Sequence, residues 1–305
     1  MQPNAKLAIL AVAALAAVGA PVASASYVRV AHRGSTRYIA DVGETNRLTI
    51  RFRKLAFTMV DPGAKVSANR RCRATGAHTA RCTPNRPEIG TGFLAVDLRD
   101  GDDSVTIKPA RRRGDTSVDA GDGNDVIRSA AAFSDGLGPT ATYAGGDGSD
   151  RIFTGRGPDS LDGGAGGDTL AAGAGNDEVF GEDSGYRGGN DHLSGGPGDD
   201  LLNGSVGDDT EAGGAGDDVL GGRGEAGEAD ADIDEGADSF DGGPGDDVIS
   251  GLDDRHAVHD VIRCGAGTDR AVVDQLDDVA ADCEQVDRRQ VEDEITPPPF
   301  VRMIN

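Results

Sequence analysis

The sequence predicts an all-β chain wound into a parallel solenoid, and the main reason is a nine-residue repeat over residues 145–272. Each repeat reads Gly-Gly-x-Gly-x-Asp-x-U-x, in which U is a large apolar residue. The twelve copies begin at residues 145, 154, 163, 172, 181, 195, 204, 213, 222, 242, 251 and 264, and the sixth position is Asp in every copy. A fixed period of this kind is the signature of a repeat architecture.

The composition indicates that apolar burial alone does not hold this fold together. The chain has a formal net charge of -23, 47 glycines and only 4% aromatic residues. One buried U side chain per repeat contributes about 1.5–3 kcal/mol, whereas ordering the backbone costs about 1–2 kcal/mol for each of nine residues. We therefore expect a bound cation to neutralise the repulsion between aspartates and to couple its binding to folding. The same acidity argues against nucleic acid as a partner.

The first residues have the pattern of a secretory signal peptide. Lys6 precedes an apolar run from Leu7 to Val18, and Ala23-Ser24-Ala25 supplies small residues for cleavage. The run is shorter than the roughly 20 apolar residues of a membrane-spanning helix. We expect residues 1–25 to be removed, which predicts a secreted, extracellular protein with no membrane span after cleavage. A retained membrane anchor is the alternative.

The rest of the chain divides into three parts. Residues 26–97 contain short alternating runs such as Leu48-Thr49-Ile50-Arg51-Phe52, which predict β-strands. We interpret this N-terminal region either as a small β cap or as degenerate coils of the same solenoid. Residues 98–286 form the array, because residues 100–105 and 120–127 already fit most of the repeat. Residues 287–305 lack periodicity and are predicted to be a flexible tail.

Each repeat combines a glycine-rich turn with a short strand. Period-two geometry places Asp and U on one face of the strand, so U enters the core while the carboxylate turns towards the loop. Calcium prefers six to eight oxygen ligands, and glycine-rich turns expose main-chain carbonyls. No His or Cys cluster favours zinc or copper instead. We predict multiple Ca²⁺ ions bound by Asp125, Asp150, Asp159, Asp168, Asp177, Asp191, Asp200, Asp209, Asp218, Asp238, Asp247, Asp260 and Asp269.

The array resembles the RTX, or haemolysin-type, calcium-binding repeat. The best matches are residues 195–202 (GGPGDDLL), 213–220 (GGAGDDVL) and 242–249 (GGPGDDVI). The resemblance implies a right-handed parallel β-roll in which two nonads form one coil and calcium lies between turns stacked on the same edge. It also implies disorder without calcium. Members that leave the cell by a dedicated one-step exporter usually lack a cleavable signal, so the signal here implies another route.

Two nonads per coil would place alternate repeats on the same edge. The repeats that begin at 154, 172, 195, 213, 242 and 264 contain no insertions, whereas the other set contains residues 183–187, 225–235 and 253–256 as interruptions. We therefore expect one regular calcium ladder, from Asp159 to Asp269, and one insertion-bearing edge that offers a surface to a cell-surface or protein partner. Neutral drift in tolerant loops is the alternative. Upstream of residue 145, we expect extra residues on both edges.

Four cysteines in an exported chain predict disulfide bonds. The separation of Cys264 and Cys283 is close to the length of two nonads, so we expect these two to lie one above the other in successive coils and to be bonded. Cys72 and Cys82 are close together in the sequence and are expected to close a local loop. Pairing between the two sets is the alternative.

The sequence contains no recognisable catalytic motif, neither a zinc-protease helix, nor a nucleophile elbow, nor a Walker loop. The leading hypothesis is a non-enzymatic calcium-binding protein that serves as a structural, adhesive or partner-binding surface. A calcium-dependent extracellular enzyme with its catalytic centre in residues 26–97 is the alternative. Ice or polysaccharide binding on a flat β face would need rows of identical outward residues, and the seventh positions of the repeats do not form such a row.

Overall fold

The structure is a computed structural model that describes residues 27–30, 36–53, 56–68, 72–83, 94–108, 116–130, 141–182, 188–221, 236–253 and 258–290. The predicted signal peptide, most of the predicted tail and nearly all of the three insertions lie outside these ranges. Within them, every regular element is a β-strand, which confirms the predicted all-β class. No helix long and apolar enough to cross a membrane occurs in the described part of the chain.

The described strands form two sheets of 13 strands each. Sheet A contains β1 (Tyr27–Val30), β2 (Thr36–Ile39), β5 (Ser67–Ala68), β8 (Leu94–Asp97), β10 (Thr116–Asp122), β12 (Ala141–Asp147), β14 (Asp159–Ala165), β16 (Glu178–Phe180), β18 (Leu201–Asn203), β20 (Val219–Leu220), β22 (Val248–Gly251), β24 (Arg270–Val273) and β26 (Gln285–Arg288). Sheet B contains β3 (Arg47–Arg53), β4 (Ala56–Val60), β6 (Cys72–Gly76), β7 (Thr79–Cys82), β9 (Ser104–Lys108), β11 (Val126–Ser129), β13 (Arg151–Phe153), β15 (Thr169–Ala171), β17 (His192–Pro197), β19 (Thr210–Ala215), β21 (Ser239–Pro244), β23 (Val261–Ala266) and β25 (Asp278–Val279).

From β8 onwards the chain alternates between the sheets, and each strand pairs in parallel with the strand two places later. In sheet B, Ile152 lies opposite Leu170, and in sheet A, Leu161 lies opposite Val179. Alternate repeats therefore stack on one another, which confirms a parallel β-solenoid with two nonads per coil. The apolar side chains at the U positions fill the space between the sheets; those that are buried include Ile152, Leu161, Leu170, Val179, Leu193, Leu202, Leu220, Phe240, Ile249 and Ile262.

The N-terminal region belongs to the same solenoid. β2 pairs in parallel with β8, and β3 pairs in parallel with β9, so residues 36–53 form a coil that stacks on the next. Antiparallel β4, β7 and β6 then extend sheet B, while β1 and β5 extend sheet A. The two predicted alternatives, a cap and a degenerate coil, are thus both present, and the sheets continue without a break from this region into the array.

Two disulfide bonds have the predicted pairing. Cys72 of β6 is bonded to Cys82 of β7 within the antiparallel extension. Cys264 of β23 is bonded to Cys283, with a Cα–Cα distance of 5.1 Å, and this bond fastens the last coil to the one before it. This bond supports the end of the roll. The U position of the last repeat is occupied only by Ala271, which has little apolar surface to bury.

Each coil has two edges, and the three insertions of the array lie on one of them. Edge 1 consists of the turns from a sheet A strand to a sheet B strand, and edge 2 of the turns from sheet B back to sheet A. In chain order the predicted insertions, residues 183–187, 225–235 and 253–256, each fall between a sheet A strand and the following sheet B strand, which places them on edge 1.

Upstream of residue 145 most of the extra residues lie on edge 2, where the intervals from Val105 to Val118 and from Ile127 to Tyr143 are both longer than one nonad. The edge 1 intervals keep the length of one nonad except in the N-terminal coil, where the interval from Tyr38 to Leu48 is longer than the stacked interval from Val96 to Val105. Extra residues upstream therefore lie on both edges, as expected, but unequally. Strand pairing, which the sequence does not show, decides which turn they enter.

Candidate metal centre

Edge 2 carries a ladder of aspartates that are linked from coil to coil. The main-chain N–H of each aspartate donates to Oδ1 of the aspartate one coil later. The N···O distances are 2.7 Å from Asp159 to Asp177, 2.8 Å from Asp177 to Asp200, 2.8 Å from Asp200 to Asp218, 2.9 Å from Asp218 to Asp247 and 2.9 Å from Asp247 to Asp269. The ladder ends where the Asp269 N–H donates to Glu284 Oε2 at 2.9 Å.

Edge 1 carries a second and longer ladder with the same link. It begins at Asn46, whose N–H donates to Asp103 Oδ1 at 2.5 Å. From there it runs through Asp103, Asp125, Asp150, Asp168, Asp191, Asp209, Asp238, Asp260 and Asp277, with N···O distances from 2.6 to 3.2 Å. The insertions on edge 1 do not interrupt it. Edge 1 is therefore as regular a ladder as edge 2, and the prediction of a single regular ladder is too narrow.

Strand pairing explains why the links form. The carbonyl of a sixth-position aspartate accepts the first strand bond from the next coil, as when Arg151 N–H donates to the Asp125 carbonyl at 2.9 Å. The N–H of that aspartate lies at the start of the strand, and the side chain of the next aspartate satisfies it. A buried N–H without such an acceptor would cost free energy, so the Asp side chain is part of the backbone hydrogen bonding.

The second carboxylate oxygen is the unusual atom of the site. In ten of the described ladder aspartates Oδ2 is buried and has no hydrogen-bond partner: Asp125, Asp150, Asp168, Asp177, Asp191, Asp200, Asp209, Asp218, Asp247 and Asp269. A buried carboxylate oxygen that lacks a partner is strongly destabilising, unless it is protonated or neutralised by a cation. These atoms therefore fit a metal ion that accepts oxygen ligands.

The glycine pattern shapes the space around Oδ2. A Cβ atom at first-position Gly213 or Gly242 would lie 2.5 Å from Oδ2 of Asp218 or Asp247, so a larger residue would fill the space that the carboxylate uses. At the second position, Gly146 has a φ of 113°, and a Cβ there would overlap the Gly121 carbonyl of the preceding coil. The turns thus stack closely, with main-chain carbonyls beside the carboxylates.

Electrostatics supports the need for a cation. Burial raises the pKa of Asp150, Asp177, Asp191, Asp200 and Asp247 to about 6, that of Asp103, Asp125, Asp159 and Asp218 to about 7, and that of Asp168, Asp209 and Asp260 to about 8. Hydrogen bonds, mostly from main-chain N–H groups, lower these values in part, and neighbouring carboxylates raise several of them further. Without a cation, the carboxylates with the highest pKa values, those of Asp168, Asp209 and Asp260, would stay largely protonated at neutral pH.

All thirteen predicted ligand residues lie in the two ladders. Asp103, Asp277, Asn46 and Glu284 also belong to them, although they were not among the predicted ligands. Asp103-Ser104-Val105 and Asp277-Asp278-Val279 keep the Asp-x-U signal without the full glycine turn, so they could have been found. Glu284 follows Asp269 by only 15 residues and gives no periodic signal.

The one charged U position, Glu211, lies inside the core. Its carboxylate accepts N–H bonds from Gly204 at 2.6 Å and from Gly221 at 2.9 Å, and burial raises its pKa to about 7. In the described residues no three His, Cys, Asp or Glu side chains converge on one point. Any cation on the ladders therefore needs main-chain carbonyls as well as carboxylates, which is a calcium-type ligand set and not a zinc-type one.

A family model for the RTX calcium-binding nonapeptide repeat, which spans four copies, matches residues 144–179, 187–220 and 232–255. This chain carries RTX calcium-binding repeats. Such repeats bind several calcium ions, and the ladder aspartates between residues 144 and 255 lie within or between the matched segments. Both ladders continue past the matched segments, to Asp269 and Glu284 on edge 2 and to Asp277 on edge 1. Among curated proteins, none matches the chain.

Proposed function

We propose that this is a secreted protein whose RTX roll completes its folding when calcium binds between stacked turns on both edges. The carboxylate ligands are Asp125 and the sixth-position aspartates of the twelve repeats. The observation that carries the proposal is the set of buried Oδ2 atoms without hydrogen-bond partners, one per repeat in most of the array. Calcium would satisfy these atoms, while Oδ1 continues to accept the main-chain N–H of the preceding coil.

The ligand chemistry favours calcium over other cations. Calcium accepts six to eight oxygen ligands in flexible geometry, and stacked glycine turns offer main-chain carbonyls from two coils beside each carboxylate. Magnesium needs a near-ideal octahedron and retains water, which suits a dry turn poorly. If calcium binds the folded roll and not the unfolded chain, it stabilises the roll in proportion to the logarithm of the calcium concentration.

Export supports the calcium assignment. The signal-like residues 1–25 and two disulfide bonds both fit an extracellular environment. Outside the cell the roll would act as a structural, adhesive or partner-binding surface, with the insertion-bearing edge 1 as one place for a cell-surface or protein partner. A role without catalysis is favoured, because the polar cluster of Tyr38, Asn46 and Asp61 in the N-terminal region is fully buried and cannot meet a substrate.

Circular dichroism tests the proposal. Residues 26–305, with both disulfides intact, should show a strong β signal in millimolar calcium and lose most of it in excess chelator. Magnesium at the same concentration should restore less of the signal than calcium does. An identical β signal in chelator and in calcium would refute the coupling between calcium and folding.

A further inference from the structure

The outer face of sheet B carries a row of cations at its N-terminal end. Five residues on five neighbouring strands lie opposite one another in register. In order across the sheet they are Arg73 of β6, Arg81 of β7, Thr58 of β4, Arg51 of β3 and Lys108 of β9. Neighbouring strands are about 4.8 Å apart, so the row crosses five strands in a straight line. All four cationic residues are exposed, and Thr58 is half-buried.

The core fixes the direction of this row. Ile50, Phe57 and Ala80 alternate with its members along the strands and are buried between the sheets. The row must therefore point to solvent. Arg128 of β11 extends the face beyond Thr106 of β9, which it opposes in register, and its guanidinium lies 5.3 Å from the centroid of the Phe153 ring.

The row is unfavourable for the fold itself. Like charges directly opposite each other on neighbouring strands destabilise a sheet. β3, β4, β6, β7, β9 and β11 contain no Asp or Glu, and no ion pair to these cations forms among the described residues.

Sheet A differs, since Asp97 of β8 and Asp119 of β10 lie on its outer face. In a chain of net charge -23, residues 26–130 contain 19 Lys and Arg against 12 Asp and Glu.

We propose that this face binds a linear acidic polysaccharide, through the carboxylate or sulfate groups of successive sugars. The inference deepens the adhesive role proposed above, but it places the partner on sheet B and not on edge 1. A narrow linear polyanion matches a straight row of cations and can follow it without touching the acidic turns.

Two other polyanions fit the face less well. Single-stranded nucleic acid is held by exposed aromatic platforms, and no aromatic side chain is exposed on the described part of this face. A flat anionic membrane would also meet the turns that flank the sheet, where exposed Asp102 and Asp122 would be repelled.

The test is a binding measurement on the full mature chain in millimolar calcium. The probes are immobilised dextran sulfate and hyaluronan, with neutral dextran, phosphatidylglycerol vesicles and a thymidine oligonucleotide as comparisons. R51Q/K108Q removes two cations of the row, and R156Q/R263Q removes two exposed cations elsewhere on the roll as a matched control. Circular dichroism in calcium confirms that each variant is folded.

We expect wild type to bind the acidic polysaccharides and not neutral dextran, with affinity that falls as salt is raised. R51Q/K108Q should weaken this binding roughly tenfold, and R156Q/R263Q less than roughly twofold. The proposal would be overturned if the two double variants bound the acidic polysaccharides equally well. It would also be overturned if the wild type bound vesicles or the oligonucleotide more tightly than the polysaccharides and R51Q/K108Q weakened that binding. Absence of polysaccharide binding by a chain that still folds with calcium would reject this inference alone, whereas a chain that ignores calcium would reject the proposed function.

Discussion

The N–H of Asp200 donates to Oδ1 of Asp218, one coil later, at 2.8 Å, while Oδ2 of Asp218 is buried without a hydrogen bond. One oxygen of each carboxylate thus belongs to the fold, and the other is left for a ligand. This division of roles separates the ladder aspartates from the exposed acids that precede several of them. Substitutions at these two kinds of acid should therefore differ in their effect on calcium binding.

D200N should weaken calcium binding without removing the acceptor for Asp177 N–H. The amide keeps the shape of the side chain but replaces one carboxylate oxygen and removes the charge. We expect the calcium midpoint of folding to rise at least roughly tenfold, since even indirect perturbation of metal ligands costs 10–100-fold in affinity. D199N, which changes the exposed neighbour, should leave the midpoint unchanged. Equal effects of the two variants in a calcium titration would contradict the assignment.

Stability in chelator should decrease as the pH rises. The folded pKa values of about 6 to 8 exceed the ordinary value of 3.8, so the folded chain retains protons that the unfolded chain releases. The contribution of these groups is therefore complete below pH 4 or so and is lost as the pH passes through their folded pKa values. Circular dichroism in chelator tests this trend, because the β signal that is lost near neutral pH should return as the pH falls towards 4; a signal that does not change between pH 8 and pH 4 would contradict it.

Calcium should expel these protons, because it binds the ionised form. Titration calorimetry near pH 6.5, in two buffers with different ionisation enthalpies, should give different apparent heats, and the calcium affinity should fall as the pH is lowered. Identical heats in the two buffers would show that no protons leave and that the buried carboxylates are not the ligands.

E211A should destabilise the roll in saturating calcium. It removes the acceptor for two N–H groups and leaves a cavity at a fully buried position, which together should lower the free energy of unfolding by about 2–4 kcal/mol. E178A changes an exposed glutamate of β16 and should alter it by less than about 0.5 kcal/mol. Denaturant unfolding provides the measurement, and a stable E211A variant would show that the core does not depend on these two bonds.

G242A should impair calcium-dependent folding, because its Cβ would lie 2.5 Å from Oδ2 of Asp247. The carboxylate would have to move away from the place where its ligand binds. G76A is the control, since a Cβ there meets only the Thr79 Cβ at 4.0 Å. We expect a higher calcium midpoint for G242A and no change for G76A. If G242A folds at the wild-type calcium concentration, the first glycine is not required for the site.

The array could be predicted from sequence because period and chemistry coincide there. Asp and U recur at fixed positions, so the stacking of Ile152 on Leu170, the burial of the U side chains and the Cys264–Cys283 bond all follow from counting residues. Counting residues does not predict strand partners where the number of residues between consecutive strands varies. In the N-terminal coils the partners of Val96 and Val118 follow from strand pairing and from no motif, and so does the position of the extra residues on edge 2.

The ends of the ladders could not be predicted for a related reason. Ala141 lies in register with Asp159, so the edge 2 ladder begins at Asp159, although the sheet continues above it. At the other end Glu284 replaces an aspartate outside the nine-residue spacing. The cation row on sheet B was missed because its members come from five strands that only antiparallel and parallel pairing bring together.

A crystal structure of the mature chain grown in calcium would show whether the metal binds beside the ladder carboxylates. Anomalous difference density should place calcium ions next to the Oδ2 atoms of successive aspartates on both edges, for example at Asp200 and Asp218 on edge 2 and at Asp168 and Asp191 on edge 1. Calcium confined to the exposed fifth-position acids, or a folded roll with no metal beside these oxygens, would show that the buried carboxylates are not the calcium ligands.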